Sequence, residues 1–212
     1  SKSRHHPNVH FYGCGVDAVH FARARHADTQ PPGELAALPR PILGYYGVID
    51  ERLDYDLIAH LADALPEASI VMVGPLAKVD AAALPQRTNL HWLGQRRYDE
   101  LPAIVKAFDV CLMPFALNEA TQYINPTKTL EYMAAGKPVV STAVPDVVRN
   151  FAPIVEIARS HAAFVSAIEC ALSQPNHDRL QQGIECASAA TWEAIVAAMR
   201  RHIAEASPPP PH

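Results

Sequence analysis

Short apolar stretches alternate along the chain with longer segments in which apolar residues recur at helical spacing. The apolar stretches cover residues 42–46, 70–73, 90–93, 110–114, 139–142 and 154–157. Strands that alternate with helices in this way predict a parallel sheet covered by helices on both faces. We therefore predict an α/β fold with a doubly wound, mostly parallel, Rossmann-like sheet.

Several of the intervening segments have the spacing of amphipathic helices. One has an acidic start at Asp54 and Asp56 and ends before Pro66, and two others follow Asp99 and Ser160. A last helix is predicted from about Thr191. The apolar positions that we expect this last helix to bury are Trp192, Ile195, Val196 and Met199.

Proline-rich stretches divide the chain into three parts. Residues 1–40 are predicted to form an opening strand and linker segment, and we expect the proline-rich connector at residues 28–41 to be extended or disordered. Residues 41–206 are predicted to form one domain, followed by a disordered tail at residues 207–212, which holds four consecutive prolines. Because the first residue is Ser rather than Met, we expect the chain to be a piece of a longer protein.

Composition narrows the classes of function. The 212 residues are 49% hydrophobic and 19% charged, which is typical of globular proteins. The 18 basic and 22 acidic residues give a net charge of −4, so we expect no nucleic-acid partner. No apolar run approaches the ~20 residues that span a bilayer. Four cysteines without CxxC spacing and dispersed histidines predict reduced thiols and no metal site.

Ligands of doubly wound sheets bind beyond the carboxyl ends of the strands, so the residues after each strand are the candidates. After the first strand, Gly47 permits close approach of a ligand to the backbone. Arg52 lies near the start of the next helix, where a guanidinium could hold a phosphate. An exposed arginine beside Asp50 and Glu51 is equally typical of a surface ion pair.

Residues 125–140 are the segment richest in candidate binding residues. Asn125 can cap a helix with Pro126 in its first turn, and the amides around Thr127 would favour an anion there. Lys128 and Glu131 share one face of that helix. They could divide the work, with the ammonium on a phosphate and the carboxylate on sugar hydroxyls, or they could form a plain ion pair; the spacing leaves both readings open.

Two further loops follow strands. Gly94, Gln95 and Arg96 could meet a nucleobase, although a basic surface turn is a common alternative. The polar loop 115–123, which leads into the Lys128 helix, could touch the variable part of a ligand or be a flexible excursion. The candidate residues in this second loop are Asn118, Thr121 and Tyr123.

Residues 131–142, EYMAAGKPVVST, resemble the "EAMAxGxPVVxT" stretch of the group 1, family 4-like glycosyltransferases. Residues 8–11, 15–21, 44–52 and 89–94 resemble other elements of the carboxyl-terminal half of these two-domain enzymes. The resemblance implies one half of a GT-B fold, the half that binds the nucleotide sugar. It also implies that the amino-terminal acceptor domain is absent from this chain.

The resemblance also implies roles for particular residues. Glu131 resembles the second Glu of the family's E-x7-E motif, which holds the ribose, but Tyr123 stands where the first Glu is expected. Arg52 stands at the position of a phosphate-binding Lys, Gly47 stands at that of an Arg, and Lys128 is the expected replacement. Arg52, Lys128 and Glu131 are thus the predicted catalytic residues. The candidates for the missing Glu are Asn118, Glu119 and Thr121.

The implied reaction moves a sugar from a UDP- or GDP-sugar to a glycan or lipid-linked acceptor, with retention, in the synthesis of bacterial surface polysaccharide. The nucleotide sugar is the substrate, and no cofactor is expected. We expect a cytoplasmic protein with at most peripheral association with the inner face of the membrane. The alternatives are a sugar-nucleotide 2-epimerase-like half and a non-catalytic nucleotide-binding or partner domain.

Overall fold

A computed structural model describes residues 9–124 and 127–206 and contains one sheet of six parallel strands. The strands are β1 (Ile42–Tyr46), β2 (Ser69–Val73), β3 (Leu90–Trp92), β4 (Val110–Met113), β5 (Val139–Thr142) and β6 (Glu156–Ala158). Their spatial order, β3-β2-β1-β4-β5-β6, reverses direction between β1 and β4. The predicted doubly wound, parallel fold is confirmed, and its switch point lies at the carboxyl ends of these two strands.

Helices connect and cover the strands. They are α1 (Ala18–Ala22), α2 (Gly33–Ala36), α3 (Tyr55–Ala64), α4 (Leu101–Ala107), α5 (Lys128–Ala134), α6 (Pro145–Phe151), α7 (His161–Ser173), α8 (His177–Ala189) and α9 (Trp192–Ala206). Side-chain caps start several of them: Asp54 accepts from the Leu57 amide and Ser160 from the Ala163 amide. None of the helices in the described residues is long and apolar enough to cross a membrane.

The core lies between the sheet and its helices. Every residue of β1, β2, β4 and β5 is buried, as expected for parallel strands covered on both faces. Helices α3 and α7 pack against each other and against the strands, while α5 packs against α1 and α8. The carboxyl ends of the central strands are therefore held on a rigid, fully packed scaffold.

The opening segment differs from the prediction. Within residues 9–40, the structure has short helices and a single bridge between Val16 and Thr191, but no strand. The proline-rich connector is not simply extended, because its residues Gly33–Ala36 form α2 and Leu35 is only 1% exposed. Burial of this leucine in the core offsets the extended preference of the flanking prolines. The predicted tail, residues 207–212, lies outside the described residues.

The predicted burial of α9 is wrong. None of its residues is buried, and Trp192, Val196 and Met199 are exposed, with Trp192 at 50%. Amphipathic spacing predicts an apolar face but does not supply a partner for it. At its start the Trp192 ring lies against Gly15, and farther along the His202 ring stacks on His10, with 3.5 Å between ring centroids.

Candidate functional site

A cleft of about 260 Å³, which we call the polar cleft after the charged groups in its lining, lies beyond the carboxyl ends of β1 and β2, beside the start of α5. It therefore lies at the carboxyl ends of the strands, the edge of the sheet at which doubly wound domains bind ligands. The described residues that line it are Tyr46, Gly47, Val48, Val73, Gly74, Pro75, Gln95, Arg96, Tyr98, Leu101, Thr127, Lys128 and Glu131.

A more apolar cavity of about 180 Å³ lies elsewhere, between α5, α7 and α8. It touches Pro138 and Glu156, which stand at the amino ends of β5 and β6. None of the predicted site residues that the structure describes lines it. We therefore take the polar cleft as the candidate site.

Two glycines form the floor of the cleft. The Gly47 amide donates to the Val73 carbonyl over 2.8 Å, and the Gly74 amide donates to the Gly94 carbonyl over 2.8 Å. Both glycines have positive φ, +148° and +149°. A methyl group at Gly74 would come within 1.8 Å of the Gly47 carbonyl oxygen, and one at Gly47 within 2.1 Å of Lys128 Cε. Only glycine at both positions lets the two loops and the lysine come so close together.

The Lys128 side chain extends from the first turn of α5 over Gly47. Among residues 9–124 and 127–206, its ammonium has no hydrogen-bond partner and no ion-pair partner. Burial lowers the pKa of Lys128, and the nearby charge of Glu131 counters this in part. A partly buried cation without a partner is costly to the fold, and an arriving anion would remove that cost.

The Glu131 carboxylate is held by a tyrosine rather than by Lys128. The Tyr46 hydroxyl donates to Glu131 Oε2, and no ion pair joins Glu131 to Lys128. Burial raises the pKa of Glu131, while the hydrogen bond from Tyr46 and the charges of Lys128 and His20 oppose that rise. The plain ion pair that the spacing left open is therefore not formed in this structure.

Arg52 forms an ion pair with the neighbouring Asp50 and does not line the cleft. Its Nε lies 2.9 and 3.0 Å from the two carboxylate oxygens of Asp50, and its Nη2 lies 2.6 Å from Asp50 Oδ2. Burial acts to raise the pKa of Asp50, but hydrogen bonds and charge from Arg52 outweigh it and lower that pKa. The structure thus places Arg52 in the ion pair that the sequence offered as its alternative. The positive charge of Arg52 also contributes to lowering the pKa of Lys128.

The loop after β3 supplies two of its three predicted residues to the lining of the cleft. Gln95 and Arg96 line the cleft, but Arg96 is paired with Glu34 over 2.6 Å. Gly94 lies outside the lining, and its carbonyl accepts the Gly74 amide. Tyr98 lines the cleft beside Glu131, and the His20 ring stacks on it with 4.3 Å between ring centroids.

The loop after β4 does not reach the cleft. Asn118 and Thr121 cap a short turn by exchanging hydrogen bonds, and the Thr121 hydroxyl also donates to the Ala116 carbonyl. Tyr123 is 83% exposed and also lies away from the lining. The structure therefore gives Asn118 and Thr121 a local structural role and does not bring Tyr123 to the site.

The start of the lysine helix is described from Thr127 onward. Thr127 is the N-cap residue of α5 and lines the cleft. The predicted cap and first-turn residues, Asn125 and Pro126, lie outside the described residues. The predicted end of the helix is confirmed, since Gly136 follows α5 with φ +70°.

The lining residues that sequence reasoning missed include Gly74 and Tyr46. Gly74 follows β2 just as Gly47 follows β1, and this repeated placement of a glycine after a buried strand was a usable signal. Tyr46 is the last residue of an apolar strand and has the pattern of a core residue. Nothing in the local sequence indicates that its hydroxyl reaches Glu131.

A doubly wound parallel domain with a cleft at the carboxyl ends of its strands belongs to a class that binds small ligands. The sequence profile of the "Glycosyl transferases group 1" family matches residues 40–174. The chain belongs to this glycosyltransferase family. It is 32% identical over 174 residues to the Bacillus subtilis (strain 168) protein named "Putative teichuronic acid biosynthesis glycosyltransferase TuaH", covering 78% of this chain and 43% of that protein.

Solved structures share the fold. Sucrose-phosphate synthase from Thermosynechococcus elongatus superposes with a TM-score of 0.65 at 23% identity, over 92% of this chain and 52% of that one. A UDP-forming α,α-trehalose-phosphate synthase from Burkholderia xenovorans gives a TM-score of 0.67 at 15% identity, over 91% and 51%. The chain thus spans about half the length of these relatives.

Proposed function

We propose that the chain is the nucleotide-sugar-binding half of a retaining glycosyltransferase, with a UDP- or GDP-sugar as donor and a glycan or lipid-linked sugar as acceptor. The observation that carries this proposal is that the cleft presents a cation and a carboxylate side by side without an ion pair between them. An uncommitted ammonium on Lys128 lies beside a carboxylate on Glu131 that is held by a different residue. A cation and a separate hydrogen-bond acceptor suit the diphosphate and the ribose of one nucleotide.

The diphosphate would lie over the glycine floor. Without side chains, Gly47 and Gly74 let a ligand approach the backbone, and Lys128 overhangs the first of them. As the bond between the sugar's anomeric carbon and the diphosphate oxygen breaks, negative charge grows on the leaving diphosphate. Lys128 and the first amides of α5 would stabilise that charge without accepting or donating a proton.

The ribose would bind at Glu131. The Tyr46 hydroxyl occupies Oε2, so Oε1 can accept hydrogen bonds from ribose hydroxyls. Hydroxyl donors favour an ionised carboxylate, so nucleotide affinity should fall as the pH is lowered through the pKa of Glu131. Burial places that pKa above its ordinary value of 4.5.

The acceptor would bind to a second half of the parent protein. The relatives are about twice as long as this chain, and the TuaH match is named for teichuronic acid biosynthesis. By analogy, we place the parent protein in the synthesis of a bacterial surface polysaccharide. It would work in the cytoplasm, and at the inner face of the membrane where the acceptor is lipid-linked.

Calorimetric titration of the 212-residue chain with UDP, GDP and ADP tests the nucleotide site. At least one nucleotide should bind, and Lys128→Met or Glu131→Gln should each weaken it by ~1–3 kcal/mol, about 5- to 150-fold. Lys78→Met and Glu67→Gln are the matched controls, because both side chains are exposed and neither lines the cleft. Absence of heat with all three nucleotides would refute the proposal.

Transfer itself is tested on the full-length parent protein. Hydrolysis of a bound UDP- or GDP-sugar in the absence of acceptor should be detectable, and Lys128→Met should reduce its rate more than it weakens donor binding. Nucleotide binding without any turnover would favour the alternative of a non-catalytic partner domain.

A further inference from the structure

Lys128 and Glu131 remain apart although their positions favour a contact. Side chains three residues apart on a helix are neighbours, and a lysine and a glutamate so placed normally attract each other. No such ion pair is present, because the Tyr46 hydroxyl holds Glu131 Oε2 and the lysine extends over Gly47. The hydroxyl that holds Glu131 belongs to a residue 85 positions away in sequence.

We infer that Tyr46 is a positioning residue that keeps Glu131 from pairing with Lys128, so that the carboxylate and the ammonium both stay available to the ligand. This inference rests on the proposed function. It assigns to Tyr46 an effect on the phosphate end of the site, which its hydroxyl does not itself approach.

The tyrosine is fixed by the core. Its ring is only 5% exposed and lies nearly parallel to Phe21, with 6.2 Å between centroids, while the Tyr132 ring meets it edge-on at 5.1 Å. Its backbone amide donates to the Tyr132 hydroxyl over 3.0 Å. The ring therefore cannot turn away, and the hydroxyl stands at a fixed point on the cleft wall.

The hydroxyl is also a permanent donor. Burial raises the pKa of Tyr46 well above the usual value of 10.0, and the neighbouring charge of Glu131 raises it further. At neutral pH the Tyr46 hydroxyl therefore keeps its proton and can donate a hydrogen bond to the Glu131 carboxylate. Because a Phe at this position would fill the same space without the donor, Tyr46→Phe isolates the hydrogen bond.

Removing the donor releases the carboxylate toward the nearest cation. In Tyr46→Phe, Glu131 is expected to pair with Lys128, which withdraws the ammonium from an incoming phosphate. In Tyr46→Phe/Glu131→Gln no carboxylate is left to capture the lysine. The double variant should therefore bind phosphate groups as well as Glu131→Gln alone, a recovery that damage to the core cannot produce.

The experiment measures the dissociation constant of inorganic pyrophosphate, and of UDP, GDP and ADP, for the 212-residue wild-type chain and these three variants. Tyr46→Phe should weaken pyrophosphate binding about tenfold, and adding Glu131→Gln should restore it. Tyr12→Phe is the matched control, since it removes a tyrosine hydroxyl bonded to His202 outside the cleft. Thermal unfolding of each variant checks that it is folded.

Two results overturn the inference while the proposed function stands: unchanged pyrophosphate binding in Tyr46→Phe, or an equal loss with and without the Glu131 carboxylate. A wild-type chain that binds pyrophosphate and none of the three nucleotides overturns the proposed function and, with it, this inference. Recovery in the double variant supports the inference directly, because it reports the state of Lys128 through a ligand that has no ribose.

Discussion

Of the described glycines, Gly74 leaves the least room for a side chain. A methyl group there would lie 1.8 Å from the carbonyl oxygen of Gly47, and real Cβ atoms essentially never come closer than 3.0 Å to such an atom. The clashing partner is backbone and cannot rotate away. To accept Gly74→Ala, the loops after β1 and β2 would have to separate by about 1.2 Å.

The cost has two parts. A side chain at φ +149° sits in a region that residues other than glycine avoid, which costs about 1–3 kcal/mol. Forcing the loops apart adds about 1–3 kcal/mol, the usual range for overpacking. Together the two parts predict that Gly74→Ala lowers the free energy of unfolding by about 2–6 kcal/mol.

Gly94→Ala is the matched control. Gly94 also has positive φ, +68°, but a methyl group there would meet nothing within 4 Å. Only backbone strain remains, so the expected loss is about 1–2 kcal/mol. Urea unfolding of both variants at 25 °C measures the difference. Equal destabilisation by the two substitutions would refute the argument that the Gly47–Gly74 contact, rather than backbone angle alone, requires glycine.

Three further substitutions test other contacts. Lys137→Met removes donors to the Lys106 and Phe108 carbonyls at the end of α4, 2.9 and 2.6 Å away, and should cost about 1–3 kcal/mol in urea unfolding. Leu35→Ala should cost about 2–4 kcal/mol if the connector packs as described, and almost nothing if it is solvated. Arg52 holds the pKa of Asp50 below its ordinary 3.8, so the ionised form stabilises the fold above that pH and less as pH falls. The melting temperature of wild type should therefore exceed that of Asp50→Asn most at neutral pH, and the gap should shrink on acidification.

The strands were predictable because each carries its own signal. Parallel strands buried on both faces are continuous apolar runs, and β1 to β6 all begin and end within two residues of the predicted stretches. Helix α8 lacks a strong signal in its sequence, because few large apolar side chains mark its buried face. Its buried residues are Gly183 and Ala187, and a methyl group at Gly183 would lie only 3.3 Å from Met133 Cγ. Because small residues fill the buried positions, Leu180 and Ile184 are the large apolar side chains at helical spacing in α8, and neither is fully buried.

The site was predictable only where its contacts are local. The spacing of Lys128 and Glu131 placed both on one helical face, and the neighbouring acids of Arg52 offered the ion pair that the structure contains. The spacing left open whether Lys128 and Glu131 pair. The structure settles that question through the hydroxyl of Tyr46, on a different strand. No local pattern encodes a contact between residues so far apart in sequence.

The charges around the cleft bear on how tightly this chain alone can hold a nucleotide diphosphate. Arg52 and Arg96 are each paired with an acid, so among the described residues of this region Lys128 is the cation without a partner. A diphosphate carries more than one negative charge. Beyond Lys128 and the first amides of α5, any further positive group must come from breaking an existing ion pair or from outside these residues, and either route costs affinity. Affinity of the isolated chain should accordingly be weak, and it should rise in Asp50→Asn if the released Arg52 turns to the phosphates.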